Sequence, residues 1–236
     1  DVMIKAREAG IKTVSYDRLI QNAGCDLYIS FDNTEVGRLM ARSLLENIPD
    51  GGDIFLIQGP LTDHNVTLVR EGIDETLAGS SLSVVYESNC AGWIAENAYT
   101  YTKEGLKQDR YVKGIICGND DLASQAFRAL SEERLAGKVY VTGQDGDLAA
   151  CQRIVEGTQE MTAFKSVEQE ASMAAKCAVL LGLGEEIEEA RSTAYDGTYQ
   201  VPYLELQPIA VTGENMDEVI IKGGFHAKED VYLNVN

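Results

Sequence analysis

Cysteine, histidine, tryptophan and basic charge are all scarce in this chain, and each shortage removes a class of chemistry. Two histidines, His64 and His226, and five cysteines without a CxxC pair leave no cluster with zinc-ligand spacing. The cysteines, Cys25, Cys90, Cys117, Cys151 and Cys177, are also odd in number and make no disulfide framework. They read as small core hydrophobes: Cys117 closes the apolar run VKGIIC, and Cys177 lies in the helical stretch ASMAAKCAVLL. There is no GxxxxGKS or GxxxxGKT, no GxSxG and no HExxH, and GLGEEI at 182–187 lacks a third glycine and follows a helical pattern. Phosphate-cradling loops, nucleophile elbows and metallohydrolase layouts are therefore missing, and neither a cofactor, a metal nor catalysis is expected. Lysine and arginine number 20 against 38 acidic residues, a formal net charge of −18 with no basic cluster. Such a surface repels nucleic acid and anionic bilayers. No apolar run approaches the roughly 20 residues that span a bilayer, and the opening DVMIKAREAG lacks the layout of a signal peptide.

What is present is an alternation of short β-rich runs with helical segments, the pattern of parallel α/β architecture. The 236 residues suit one large domain or two small ones. Strands are expected over 11–16, 53–58, 82–87, 113–117, 138–143 and 161–165, and helices near 34–47, 66–78, 94–107, 121–134, 147–156 and 167–182. After YISFDN, Asn33 or Thr34 can cap a helix whose Val36, Leu39, Met40 and Leu44 share one face. Beyond Gly184 the pattern weakens, and the tail reads as connecting segments with one short helix.

In parallel α/β sheets ligands bind beyond the carboxyl ends of the strands. There the six runs deliver Asp17 and Arg18, Asn65 and Arg70, Trp93, Asn119 with Asp120, Asp145, and Lys165. Singly, each has an ordinary reading as a turn residue, a helix cap or a solvated charge. Together they combine carboxylate acceptors, cationic donors, amides and one flat indole. That mixture suits a sugar, whose hydroxyls both donate and accept while its C–H face stacks on an aromatic ring. It suits a phosphate poorly, because the carboxylates would repel it.

The segments YDR (16–18), YISFDN (28–33), DHNVTLVREG (63–72), AGWIAENA (91–98), GND (118–120), GQDGDLA (143–149), EGTQEMTAFK (156–165) and VIIKGGFH (219–226) closely resemble the bacterial D-xylose-binding proteins. These are extracytoplasmic solute-binding proteins of sugar ABC importers with the type I periplasmic-binding-protein fold. The resemblance implies two α/β lobes with parallel sheets, joined by three crossings and closing on a pentose held in the interlobe cleft. The first lobe is expected over 1–33 and 164–206 and the second over 34–163 and 207–236. The implied sugar ligands are Asp17, Arg18, Asn65, Arg70, Asn119, Asp145 and Lys165, with Trp93 stacking on the ring.

What this implies is capture of D-xylose, or of another aldose such as glucose, in the periplasm or at the cell surface, for a membrane permease. A sensory role is the alternative, the loaded protein docking on a membrane histidine kinase or chemoreceptor. The effector domain of a LacI-type repressor shares the fold, but a DNA-binding headpiece is not visible and the charge opposes it. MIKAREAG reads as the end of a helix stopped at Gly10. The first lobe is therefore expected to be incomplete within these residues, and to be completed by a separate N-terminal fragment or a second copy.

Overall fold

The computed structural model describes residues 2–235. In chain order the elements are α1 (Val2–Glu8), β1 (Val14–Tyr16), β2 (Leu27–Phe31), α2 (Asn33–Asn47), β3 (Gly52–Gln58), α3 (His64–Leu77), β4 (Leu82–Asn89), α4 (Ala95–Gln108), β5 (Gly114–Cys117) and α5 (Asp120–Glu132). They continue with β6 (Tyr140–Gln144), α6 (Leu148–Val155), β7 (Met161–Phe164), α7 (Val167–Leu183), β8 (Ser192–Tyr195), β9 (Gln200–Leu206), β10 (Ile209–Val211) and α8 (Lys228–Val231). The chain forms two compact units, one running to Asp32 and over Ser166–Pro208, the other over Asn33–Lys165 and from Ile209 onward.

The larger unit is a six-stranded sheet in the order β10-β7-β6-β5-β3-β4. Its central strands are nearly continuous apolar runs because both faces are covered. Along β3 the two-residue period sends Ile54 and Leu56 to one face, where they pack with Val36, Met40 and Leu44 of α2 and Val69 and Ile73 of α3. Phe55 and Ile57 go to the other face, against Ala98 and Leu106 of α4 and Leu122, Ala126 and Leu130 of α5. A third cluster joins Cys151 and Ile154 of α6 to Phe164, Val211, Met216, Ile220 and Val231, so the tail closes the end of the sheet beyond β7.

The smaller unit has a four-stranded sheet, β1-β2-β9-β8. Its core packs Leu27, Ile29 and Phe31 of β2 and Leu204 and Leu206 of β9 against Cys177 of α7. All five cysteines are buried. Among the described residues no helix is long and apolar enough to cross a membrane.

The region after Gly184, where the periodicity weakens, holds three strands, and both mostly parallel sheets carry one antiparallel strand each: β8 runs antiparallel to β9, and β10 to β7. These strands escape a sequence reading because β8 (STAY) is short, mostly exposed and weakly patterned, and because Pro202 interrupts β9. Pairing of β9 with β2 starts only at Tyr203, so the missing N–H of Pro202 breaks no bond on that side.

Helices α2 and α3 cross in near backbone contact at two glycines. A Cβ on Gly37 would stand 2.0 Å from the Val69 carbonyl oxygen, and one on Gly72 would stand 1.9 Å from that of Thr34. Even a methyl group must therefore drive the helices apart. Gly37→Ala is expected to lower stability by about 2 kcal/mol, as overpacking does, and urea unfolding of the variant checks it.

Candidate functional site

In the larger unit the sequence-selected side chains gather where β5, β6 and β7 end. Asn119 follows β5 and caps α5, its Oδ1 accepting from the Leu122 N–H at 2.9 Å. This is the ordinary cap role, and it leaves the Asn119 amide N–H₂ as a donor. Asp145 follows β6, and Lys165 follows β7. The Lys165 Nζ lies 3.4 Å from Asp145 Oδ1, the lysine side chain being 18% exposed and the aspartate 39%. An anion and a cation that are close yet only loosely paired can each still bond to a neutral polyol.

Asp145 holds its position at a cost. Its φ is +103°, a region that side-chain-bearing residues rarely adopt. The surrounding bonds fix that conformation. Asp145 N–H donates to the Ala163 carbonyl at 3.1 Å. Gly146 N–H donates to Asp120 Oδ2 at 2.9 Å and to Thr162 Oγ1 at 3.1 Å, and Asp147 N–H to Asp120 Oδ2 at 3.1 Å. On the other side, His226 Nε2 meets the Gly146 carbonyl at 2.8 Å. Phe164 packs edge-on to Phe225 with ring centroids 4.8 Å apart.

Asn65 and Trp93 belong together through Asp63. The Asp63 carboxylate caps α3 by accepting from the Asn65 N–H at 3.1 Å, and it accepts from the indole Nε1–H of Trp93 at 3.2 Å. Trp93 has φ +59° in a short 3₁₀ turn, Ala91–Trp93, and is half-buried against the core beside Cys90. Its ring lies so close over Gly59 that a Cβ there would be 2.3 Å from the indole carbons. A glycine platform and a carboxylate tether thus orient a half-exposed ring. Arg70 is placed differently: its Nε bonds to Asp74 at 2.8 Å and its Nη1 pairs with Glu87 of β4.

In the smaller unit Asp17 and Arg18 follow β1, as the strand-end argument requires. Asp17 has φ +59°, its N–H donates to the Ile29 carbonyl, and its own carbonyl accepts from the Tyr28 hydroxyl at 3.1 Å. Arg18 Nη1 lies 3.1 Å from Asp17 Oδ2. Three of the sequence-selected residues, Asp17, Trp93 and Asp145, thus adopt the left-handed region. Strain of this kind concentrates at functional sites.

Sequence reasoning did not select most of the supports of these groups, namely Gly59, Asp63, Gln159, Thr162 and His226, and it delivered Asp120 only alongside Asn119. Asp120 stands beside Asn119 but reads there as one more acid in the first turn of a helix. Asp63 reads locally as an ordinary helix cap, and the partners of the others lie up to 80 residues away.

Comparison with known proteins gives the family. A periplasmic binding protein domain family matches residues 1–186. The D-xylose-binding periplasmic protein of Haemophilus influenzae is 41% identical over 98% of this chain and 71% of its own length. Its Escherichia coli counterpart of the same name is 38% identical over the same shares. Among solved structures, an ABC transporter solute-binding protein from Clostridium phytofermentans with bound β-D-glucose superposes with a TM-score of 0.87 at 25% identity, covering 98% of this chain and 78% of that one. With the family model matching most of its length and such relatives spanning nearly all of it, the chain belongs to the periplasmic binding proteins.

Proposed function

We propose that this protein captures a monosaccharide outside the cytoplasm for an ABC importer, without chemically changing it, and that the sugar is D-xylose. The observation that carries this reading is the set of Asn119, Asp145 and Lys165 at adjoining strand ends, with the tethered ring of Trp93 on the same unit. A neutral polyol needs such interleaved donors, acceptors and a stacking face. The names of the Haemophilus and Escherichia relatives support xylose over other sugars. Asn65, Asp17 and Arg18 complete the ligand set we assign. Arg70 joins it only by exchanging one of its two carboxylates for a sugar hydroxyl. The partner is then the membrane permease of the importer.

Calorimetry of the intact protein, including whatever chain flanks these residues, tests the reading. D-xylose should give saturable heat and be recovered unchanged after long incubation. Clear binding of glucose with none of xylose would move the substrate to the hexose of the Clostridium neighbour; heat only with an amino acid would reject a sugar altogether. Trp93 is the sole tryptophan and gives a second readout. Saturation with xylose is expected to change its emission intensity or wavelength, and an unchanged spectrum would assign the ring to packing alone.

A further inference from the structure

We propose that Asp120 is a positioning residue for the sugar site: its buried carboxylate, when ionised, clamps the backbone of the Asp145 turn in its left-handed conformation, and sugar affinity therefore follows the ionisation of Asp120. This deepens the sugar-binding reading and rests on it.

The geometry has three parts. First, the carboxylate is fully buried and accepts from four donors: Gly146 N–H, Asp147 N–H, the Thr162 hydroxyl at 2.7 Å and the Gln159 amide at 3.0 Å. Two of the four are the backbone groups that follow Asp145, so the clamp grips the strained residue through its own chain. Second, β6 leaves room for it only through a glycine, because a Cβ on Gly143 would stand 2.2 Å from Asp120 Oδ1. Third, a relay stands behind it. The guanidinium of buried Arg153 donates from Nε to Gln159 Oε1 at 3.0 Å, and this turns the Gln159 amide toward Asp120 and the Met161 carbonyl.

The energetics fit a residue kept for the site rather than for the fold. Burial pushes the Asp120 carboxyl up to about 7; the Thr162 and Gln159 hydrogen bonds pull the other way, and Asp145 raises it further. An acid whose value rises on folding contributes stability below its unfolded value and loses it as pH rises through the folded one. Ionised Asp120 thus costs the fold stability while it holds the turn. The titratable groups facing it are Asp145, Asp147, Arg153, Cys151 and Cys117, with His226 touching the far side of the same turn. Burial holds the two thiols protonated throughout this range.

Amide NMR of the sugar-free protein and calorimetry with D-xylose test this together. The Gly146 and Asp147 amide resonances should titrate with one midpoint, and xylose affinity should fall at least fivefold between about pH 8 and about pH 6 around it. Asp120→Asn should abolish that titration and bind xylose about tenfold more weakly at the higher pH, with no dependence in this window, while its Tm stays within a few degrees of wild type. Gln159→Met removes one donor that favours the anion, so it should move the midpoint upward even if the first variant folds poorly. His226→Gln should leave the midpoint in place. Wild-type affinity and pH dependence in Asp120→Asn, or a midpoint that moves with His226 and ignores Gln159, would overturn the proposal. If no sugar binds the wild-type protein, the sugar reading fails and the amide titration still decides whether Asp120 holds the turn.

Discussion

Asp145→Ala is expected to weaken D-xylose binding by roughly 2–4 kcal/mol, a loss of about 30- to 900-fold in affinity. Two effects add. The variant lacks an anionic acceptor whose bonds to sugar hydroxyls are charge-assisted. It also leaves Lys165, 3.4 Å away and mostly buried, without its counter-ion. Because Asp145 sits at φ +103°, alanine further strains a turn that aspartate and asparagine tolerate better. Two companion variants separate the terms. Asp145→Gly relieves the backbone but still removes the carboxylate, so it should recover only the strain part of the loss and stay well below wild type. Asp145→Asn keeps an oxygen acceptor and should recover part of the affinity. Titration calorimetry of all three checks this, and a glycine variant with wild-type affinity would show that Asp145 supplies only a turn.

The second large effect concerns stability. Asp196 is fully buried between the β8–β9 turn and the loop before β2. Its Oδ2 accepts from the N–H groups of Ala23 at 2.9 Å and Gly24 at 2.7 Å, and its Oδ1 from those of Thr198 at 2.9 Å and Tyr199 at 2.7 Å. One carboxylate thus satisfies four backbone donors from segments more than 170 residues apart in sequence. Asp196→Ala would leave the Ala23 N–H buried and unpaired and take the acceptor from the three part-buried donors, and is expected to cost about 3 kcal/mol in urea unfolding. The effect also has a pH signature. Burial alone would raise the carboxyl, but the four N–H bonds outweigh it and hold it below the ordinary value. A depressed acid contributes stability above its unfolded value, about 3.9, and loses it as pH falls through the folded one. The stability gap between wild type and Asp196→Asn should therefore be full at neutral pH and shrink below about pH 4. A gap independent of pH would mean that the charge contributes nothing.

Much of the larger unit was legible in the sequence because periodicity reports burial. Five of the six expected strands and five of the six expected helices fall in it, close to their observed bounds, and Val36, Met40 and Leu44 do line the buried face of α2. Edge strands such as β8 and β10 were not legible. They are short, bury little and form only where a neighbour supplies hydrogen bonds, so their sequences carry no period of their own. The placement of Asn119, Asp145 and Lys165 after β5, β6 and β7 was also legible, because position after a parallel strand is a local property.

By itself, then, the sequence determined the α/β alternation, the acidic surface and the identity of the polar groups at the strand ends, since each depends on neighbouring residues or simple counts. Only the tertiary structure decided which of those groups meet, and how they are held. The Asp145 turn depends on Asp120, Thr162 and His226, the Trp93 ring on Asp63 and Gly59, and the close crossing of α2 and α3 on Gly37 and Gly72. Arg70 shows the same limit: an arginine placed for a ligand is engaged by Asp74 and Glu87. Hydrogen bonds and van der Waals contacts act over a few ångströms in space, whereas the residues that make them here lie tens of positions apart along the chain.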